Sequence, residues 1–103
     1  MDKTTVVERV KKYAVEVAGE MPESQVILFG SYVSGKAHEN SDIDVAIIVK
    51  EINDDYLTVI RHLYALAVPI DPMIEPHLLF EDGDNGGFLQ EVQRTGEVIY
   101  RAA

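Results

Sequence analysis

The sequence predicts an α/β (α+β) protein: a small mixed β-sheet of three to four strands flanked by helices. Three observations predict it. Segments with helical apolar spacing alternate with short strand-like runs, in the order α-β-turn-β-α-β-α, which is the pattern of a layered mixed protein. The run DIDVAIIV from Asp42 to Val49 is β-branched and apolar on both parities after Asp44, as a central strand covered on both faces must be. The chain has 103 residues, enough to bury ~65% of its unfolded surface around one core.

Thr5 to about Gly19 reads as an amphipathic helix. Val6, Val10, Tyr13 and Val17 recur at helical spacing, and Val7 and Ala14 widen the stripe, which is most simply core. Thr5 and Glu8 have capping-box spacing, and Gly19 and Pro22 mark the end. Gln25 to Phe29 (QVILF) is a short apolar run between polar residues, a buried strand. A turn-rich stretch follows, with room for a single helical turn. It links Phe29 to Asp42 through about 12 residues, a length that suits a parallel crossover or an open hairpin.

Asn53 is placed to cap the next helix, with Asp54 and Asp55 in its first turn. Leu57, Ile60, Leu63, Tyr64 and Ala67 form its stripe, and Pro69 stops it. Pro69 to Glu75 (PIDPMIE) is a third strand, and Pro72 within it argues for an edge or a bulge. After a loop containing DGDNGG, Phe88 to Arg94 is a short helix closed by Gly96. Val98 to Tyr100 is an apolar tail that packs as a strand or an extended piece.

Composition excludes several function classes. No cysteine is present, so neither a disulfide framework nor a Cys-ligated zinc is available. Nine Lys and Arg against 18 Asp and Glu give a net charge of −9, which disfavours direct nucleic-acid binding by electrostatics. Local anion binding through a metal or a helix N-terminus stays open. No apolar run approaches the ~20 residues that span a bilayer, and Met1 to Thr5 does not have a signal peptide's charged and apolar regions. The expectation is a single cytoplasmic domain over residues 1–103 with no membrane contact.

The chemistry concentrates between Leu28 and Val49. Asp42 and Asp44, two apart on a strand, point to one face. Two carboxylates 4 Å apart repel by ~4 kcal/mol at an effective dielectric constant of ~20. A divalent cation is the usual compensation, and ligands that are all oxygen suit Mg2+ or Mn2+. Gly30 permits a sharp turn and a close ligand approach. Ser31 falls near a helix N-terminus, where N–H groups and a hydroxyl hold phosphate. Gly35 allows a second tight bend.

Gly30-Ser31, ten residues from Tyr32 to Ser41, then Asp42-x-Asp44, resembles the signature of the DNA-polymerase-β-like nucleotidyltransferases, and most nearly their minimal members. The spelling LFGSYVSGKAHENSDIDVAIIV follows that family, including Gly35 and the Ser41-Asp42 pair. Ile70-Asp71-Pro72 looks like the strand that brings the family's third carboxylate. The segment from Phe88 to Tyr100, ending Gly96-Glu97-Val98-Ile99-Tyr100, looks like its closing helix and tail, so the resemblance covers essentially the whole chain.

The resemblance implies a nucleotidyltransferase fold in which Asp42, Asp44 and Asp71 hold two Mg2+ ions, with Mn2+ as the alternative metal. It implies that Gly30 and Ser31 bind the β- and γ-phosphates of ATP, with Gly35, Lys36 and Ser41 completing the nucleotide site. A nucleoside monophosphate is then transferred and pyrophosphate released. Many relatives carry Lys or Arg where Ser34 stands, and Lys36 is the nearby charge. Glu75 is a rival to Asp71, since it lies four along and shares its face in a regular strand. Free-standing minimal members resemble antitoxins paired with helical HEPN-type ribonuclease toxins, whose tyrosine the transferase AMPylates. The readings kept beside this one are a non-catalytic antitoxin that covers the toxin, and transfer to a small molecule. An edge strand near Pro72 and the terminal helices leave surfaces for a homo- or hetero-oligomer.

Other spellings carry less. Gly30 to Lys36 fits G-x-x-x-x-G-K, but Ala37 follows where a P-loop has Ser or Thr. Asp82 to Gly87 has the opening of a calcium loop, but its twelfth position is Gln93, not Glu. His38, His62 and His77 have no spaced partners and read as surface or helix-face residues.

Overall fold

A computed structural model of the chain describes residues 1–83 and 86–102. Asp84 and Asn85, in the calcium-loop spelling, lie outside the described residues. Helix α1 (Lys3–Glu20) starts at Asp2, whose carboxylate accepts from the Thr5 N–H at 2.8 Å. The cap is therefore Asp2, three residues before the expected start at Thr5, and not the Thr5–Glu8 box. Strand β1 (Gln25–Phe29) has the expected bounds. The single turn is α2 (Ser31–Ser34).

Strand β2 (Ile43–Val49) runs antiparallel to β1, so the Phe29–Asp42 link is an open hairpin. Helix α3 (Tyr56–Ala67) is capped by Asp55, which accepts from the Thr58 N–H at 2.9 Å and its hydroxyl at 2.8 Å. Asp55 thus holds the place expected of Asn53.

The third strand, β3 (Ile74–Phe80), begins later than the expected Pro69–Glu75. Residues 69–73 are a turn instead: the Ile70 and Asp71 N–H groups both donate to the Ala67 carbonyl, at 2.9 and 2.8 Å. Pro72 lies in that turn, and the proline within β3 is Pro76. A proline is tolerated there because β3 is an edge. Helix α4 (Phe88–Thr95) leads through Gly96 into β4 (Glu97–Arg101), so the apolar tail is a strand. At Gly96 a Cβ would run into Ile27 and into the Val92 carbonyl at 2.6 Å, so the turn admits only glycine without movement.

The sheet order is β3-β2-β1-β4, with β2 and β3 parallel and the other pairs antiparallel. On one face Val26, Leu28, Ile43, Val45, Ile47 and Ile74 pack with Val6, Val10, Val17 and Leu63 of α1 and α3. On the other, Ile27, Ala46, Ile48 and Leu79 pack with Leu89 and Val92 of α4. That two-sided cover explains why β2 is apolar on both parities.

Two polar ties fix α1. The buried Tyr13 hydroxyl donates to the Leu63 carbonyl at 2.9 Å, and burial pushes that phenol above its ordinary range. Arg9 pairs with Asp71 at 2.6 Å. Among the described residues no helix is long and apolar enough to cross a membrane.

Candidate active site

Helix α4 packs on one face of the sheet through Leu89 and Val92, and its first residue, Phe88, lies against Phe29 at the end of β1. There β1 ends at Phe29, which is paired with Asp44 in the antiparallel register. Gly30 then turns the chain with φ +79° and ψ −147°. A Cβ at Gly30 would overlap the Asp44 carboxylate and come within 3.2 Å of its Cβ and Cγ. Glycine is thus required twice, for the backbone angle and for the approach of Asp44. A Gly30→Ala variant is expected to lose ~1–3 kcal/mol in urea unfolding and to bind divalent cations more weakly, since Asp44 must move aside. An unchanged midpoint would refute the close approach.

The parallel register of β2 and β3 places Glu75 directly opposite Asp44. His77, two residues on, shares that face. Its Nε2 lies 3.2 Å from Asp44 Oδ1 and 3.9 Å from Glu75 Oε1. Asp42, two residues before Asp44, is near enough for its charge to act on Glu75. Burial pushes the Glu75 carboxyl up, and the neighbouring Asp42 and Asp44 push it further, against a smaller opposing pull from His77. The same field reaches the Tyr64 phenol on α3, raised by burial and then by Glu75 and Asp42.

Such a concentration of like charge is what a divalent cation relieves. Asp44, Glu75 and His77 each offer one ligand atom, all within 4.8 Å of one another. The donor set therefore fits a divalent metal, with Asp42 at its rim.

Asp71, the expected third carboxylate, is elsewhere. It is 3% exposed, its Oδ2 accepts from Arg9 at 2.6 Å, and its Oδ1 accepts from the Met73 N–H at 2.8 Å. It clamps the turn before β3, and the structure brings Glu75, not Asp71, opposite Asp44. The two acids do not share a face as the rival reading had it, because Pro69–Met73 is a turn, not a strand.

The remaining expected residues lie in the loop between β1 and β2. Ser31 opens α2, with its carbonyl accepting from the Lys36 N–H at 3.1 Å. Gly35 ends α2 at φ +80°, and Lys36 is exposed. The Ser41 hydroxyl accepts from the His38 N–H at 2.8 Å, a contact that staples the loop. His62 is on a helix face as expected, paired with Glu20. His77, read from sequence as surface, is instead a strand residue packed edge-on against Phe29, with ring centroids 5.1 Å apart. The signal was present: Glu75-Pro76-His77 repeats the two-residue spacing of Asp42-x-Asp44 once the strand is placed correctly.

A cleft of about 720 Å3 opens at the far end of β2, between residues 20–24 and 49–54. No cluster of metal-ligating groups converges there among the described residues.

The family profile described as "Polymerase beta, Nucleotidyltransferase" matches residues 16–103. The Methanocaldococcus jannaschii protein named "Putative protein adenylyltransferase MJ0604" is 36% identical over 78 residues, 74% of this chain and 77% of that protein. A second protein of that organism with the same designation, MJ0141, is 28% identical over 95 residues, 88% of this chain and 95% of its own length. A solved structure described as a toxin-antitoxin with AMP-PNP superposes with a TM-score of 0.65 at 24% identity, over 89% of this chain and 73% of that one. At that identity the superposition bears on the fold alone.

Proposed function

Because the chain belongs to the polymerase β nucleotidyltransferase family, we propose that it is a Mg2+-dependent protein adenylyltransferase acting as the antitoxin of a toxin–antitoxin pair. It moves AMP from ATP to a tyrosine of a HEPN-type partner. The observation that carries this reading is that Glu75 faces Asp44 across the β2–β3 register, with Asp44 against the Gly30 turn. The designation of the two relatives supports a protein acceptor. The neighbour of the same fold is a toxin-antitoxin solved with AMP-PNP, and the proposal carries that nucleotide and that setting over to this chain.

Each residue has a task in this reading. Asp42, Asp44 and Glu75 hold the divalent ions, Glu75 taking the place first expected of Asp71. When bound, the ions supply positive charge against the triphosphate and the developing oxyanions. Gly30 lets the backbone approach the β- and γ-phosphates, and the Ser31 N–H and hydroxyl donate to them. Lys36 lies exposed beyond Gly35 and supplies the charge that Ser34 does not. The acceptor oxygen bonds to the α-phosphorus as the bond to the pyrophosphate oxygen breaks, and the acceptor proton leaves to solvent. Positioning and fixed charge provide most of the rate.

The test uses α-labelled ATP, Mg2+, the purified chain and the product of its neighbouring gene. Label is expected on a tyrosine of the partner, and none with Asp42→Asn/Asp44→Asn. Absence of label, with tight binding kept by the double variant, would leave a non-catalytic antitoxin.

A further inference from the structure

The acidic face contains a nitrogen donor. His77 projects from the edge strand between Asp44 and Glu75, with Nε2 3.2 Å from one carboxylate oxygen and 3.9 Å from the other. Ligands bonded at ~2.1 Å to one octahedral ion lie ~3.0 Å apart when adjacent and ~4.2 Å apart when opposite. The 3.2 Å separation is close to that of adjacent ligands, and the 3.9 Å separation reaches one of the two values with a shift of a few tenths of an ångström. The imidazole is also held from behind. Phe29 meets it edge-on at 5.1 Å and 66°, and Phe88 lies 6.2 Å from it and 5.5 Å from Phe29. A ring packed in this way keeps its orientation without a metal, so little ordering is required when one binds.

The donor type decides which metal profits. Mg2+ prefers oxygen ligands and keeps its waters, whereas imidazole suits first-row transition ions. We propose that His77 is a direct ligand, with Asp44 and Glu75, of a divalent transition ion, and that the site takes Mn2+ in preference to Mg2+. This rests on the reading of the acidic face as the metal site of the transferase and refines it: Mg2+ supports the reaction, and Mn2+ is held more tightly. Nε2 is the ring nitrogen that would bond to the ion. Without metal, the same Nε2 faces Asp44.

The experiment titrates Mn2+ into the full chain with a non-hydrolysable ATP analogue, following free Mn2+ by electron paramagnetic resonance, and then competes with Mg2+. Pulsed resonance on 15N-labelled protein with unlabelled nucleotide reports any nitrogen bonded to the ion. We expect Mn2+ to bind at least ~10-fold tighter than Mg2+, with a directly bonded 15N. His77→Phe keeps a ring against Phe29 and Phe88; in it the coupling should vanish and Mn2+ affinity fall ~10–100-fold, with Mg2+ affinity changing little. His77→Gln serves as a second variant, and circular dichroism checks the folding of both. Mn2+ bound without 15N coupling, or an unchanged Mn2+/Mg2+ ratio in a folded variant, would overturn the proposal while leaving the transferase reading intact. Failure of the wild-type chain to bind either ion would overturn both.

Discussion

Glu75→Gln is expected to lower AMP transfer by ~10²–10³-fold, the scale on which a single oriented charge-stabilising group is lost. Gln keeps the shape of Glu and one carbonyl oxygen, so the strand and its register with Asp44 are preserved. What it removes is a negative charge directly opposite Asp44 in the β2–β3 register. The direction of the stability change separates this role from a structural one. Burial and its acidic neighbours hold the Glu75 carboxyl above its ordinary range. A carboxyl raised in the folded state binds more protons there than in the unfolded chain. Its ionisation therefore weakens the metal-free fold as pH rises through the carboxylate range and up to the raised value. The Gln variant escapes that cost and should melt no lower than wild type at neutral pH, even as transfer collapses. A site that gives up stability for function behaves in this way. Transfer measured with α-labelled ATP, beside thermal melts without metal, checks both halves. A variant with full activity would remove Glu75 from the site.

How far the sequence reached depended on whether the information was local. Gly30, Ser31, Asp42 and Asp44 stand out as candidates because a strand end, a tight turn and a two-residue spacing are written within one short stretch. The bounds of β1 were legible for the same reason: polar residues flank a continuous apolar run. The assignment of the third carboxylate needed a register between strands, which no local pattern encodes. Asp71 sits beside Pro72 in a stretch that reads as a strand, but its own N–H closes a turn onto Ala67. The partner that explains Asp71 is Arg9, 62 positions earlier. His77 was hidden by the same displacement, since a strand ended at Glu75 leaves it in a loop. The start of α3 failed differently. Asn53, Asp54 and Asp55 are all competent caps, and only the reach of the Asp55 carboxylate to both donors of Thr58 selects among them.

Asp71→Ala is expected to destabilise the fold by ~3 kcal/mol, near the lower end for breaking a buried ion pair. The lower end applies because the partner can recover: the Arg9 side chain is 40% exposed and can return to water, while that of Asp71 is 3% exposed. The rest of the loss comes from the Met73 N–H, which donates to Asp71 Oδ1 at 2.8 Å and is left without its acceptor in the turn. Arg9→Ala should cost at least as much, because it strands a buried carboxylate. A double-mutant cycle on the pair should return a coupling of ~1–3 kcal/mol. Urea unfolding of the four proteins measures all of this. Transfer supplies the independent half of the argument. Asp71 commits one oxygen to Arg9 and the other to the turn, so the folded fraction of Asp71→Asn should retain transfer within a few-fold, while Glu75→Gln does not. A folded, thermally unperturbed Asp71→Asn that had lost transfer would reverse the assignment and return Asp71 to the metal.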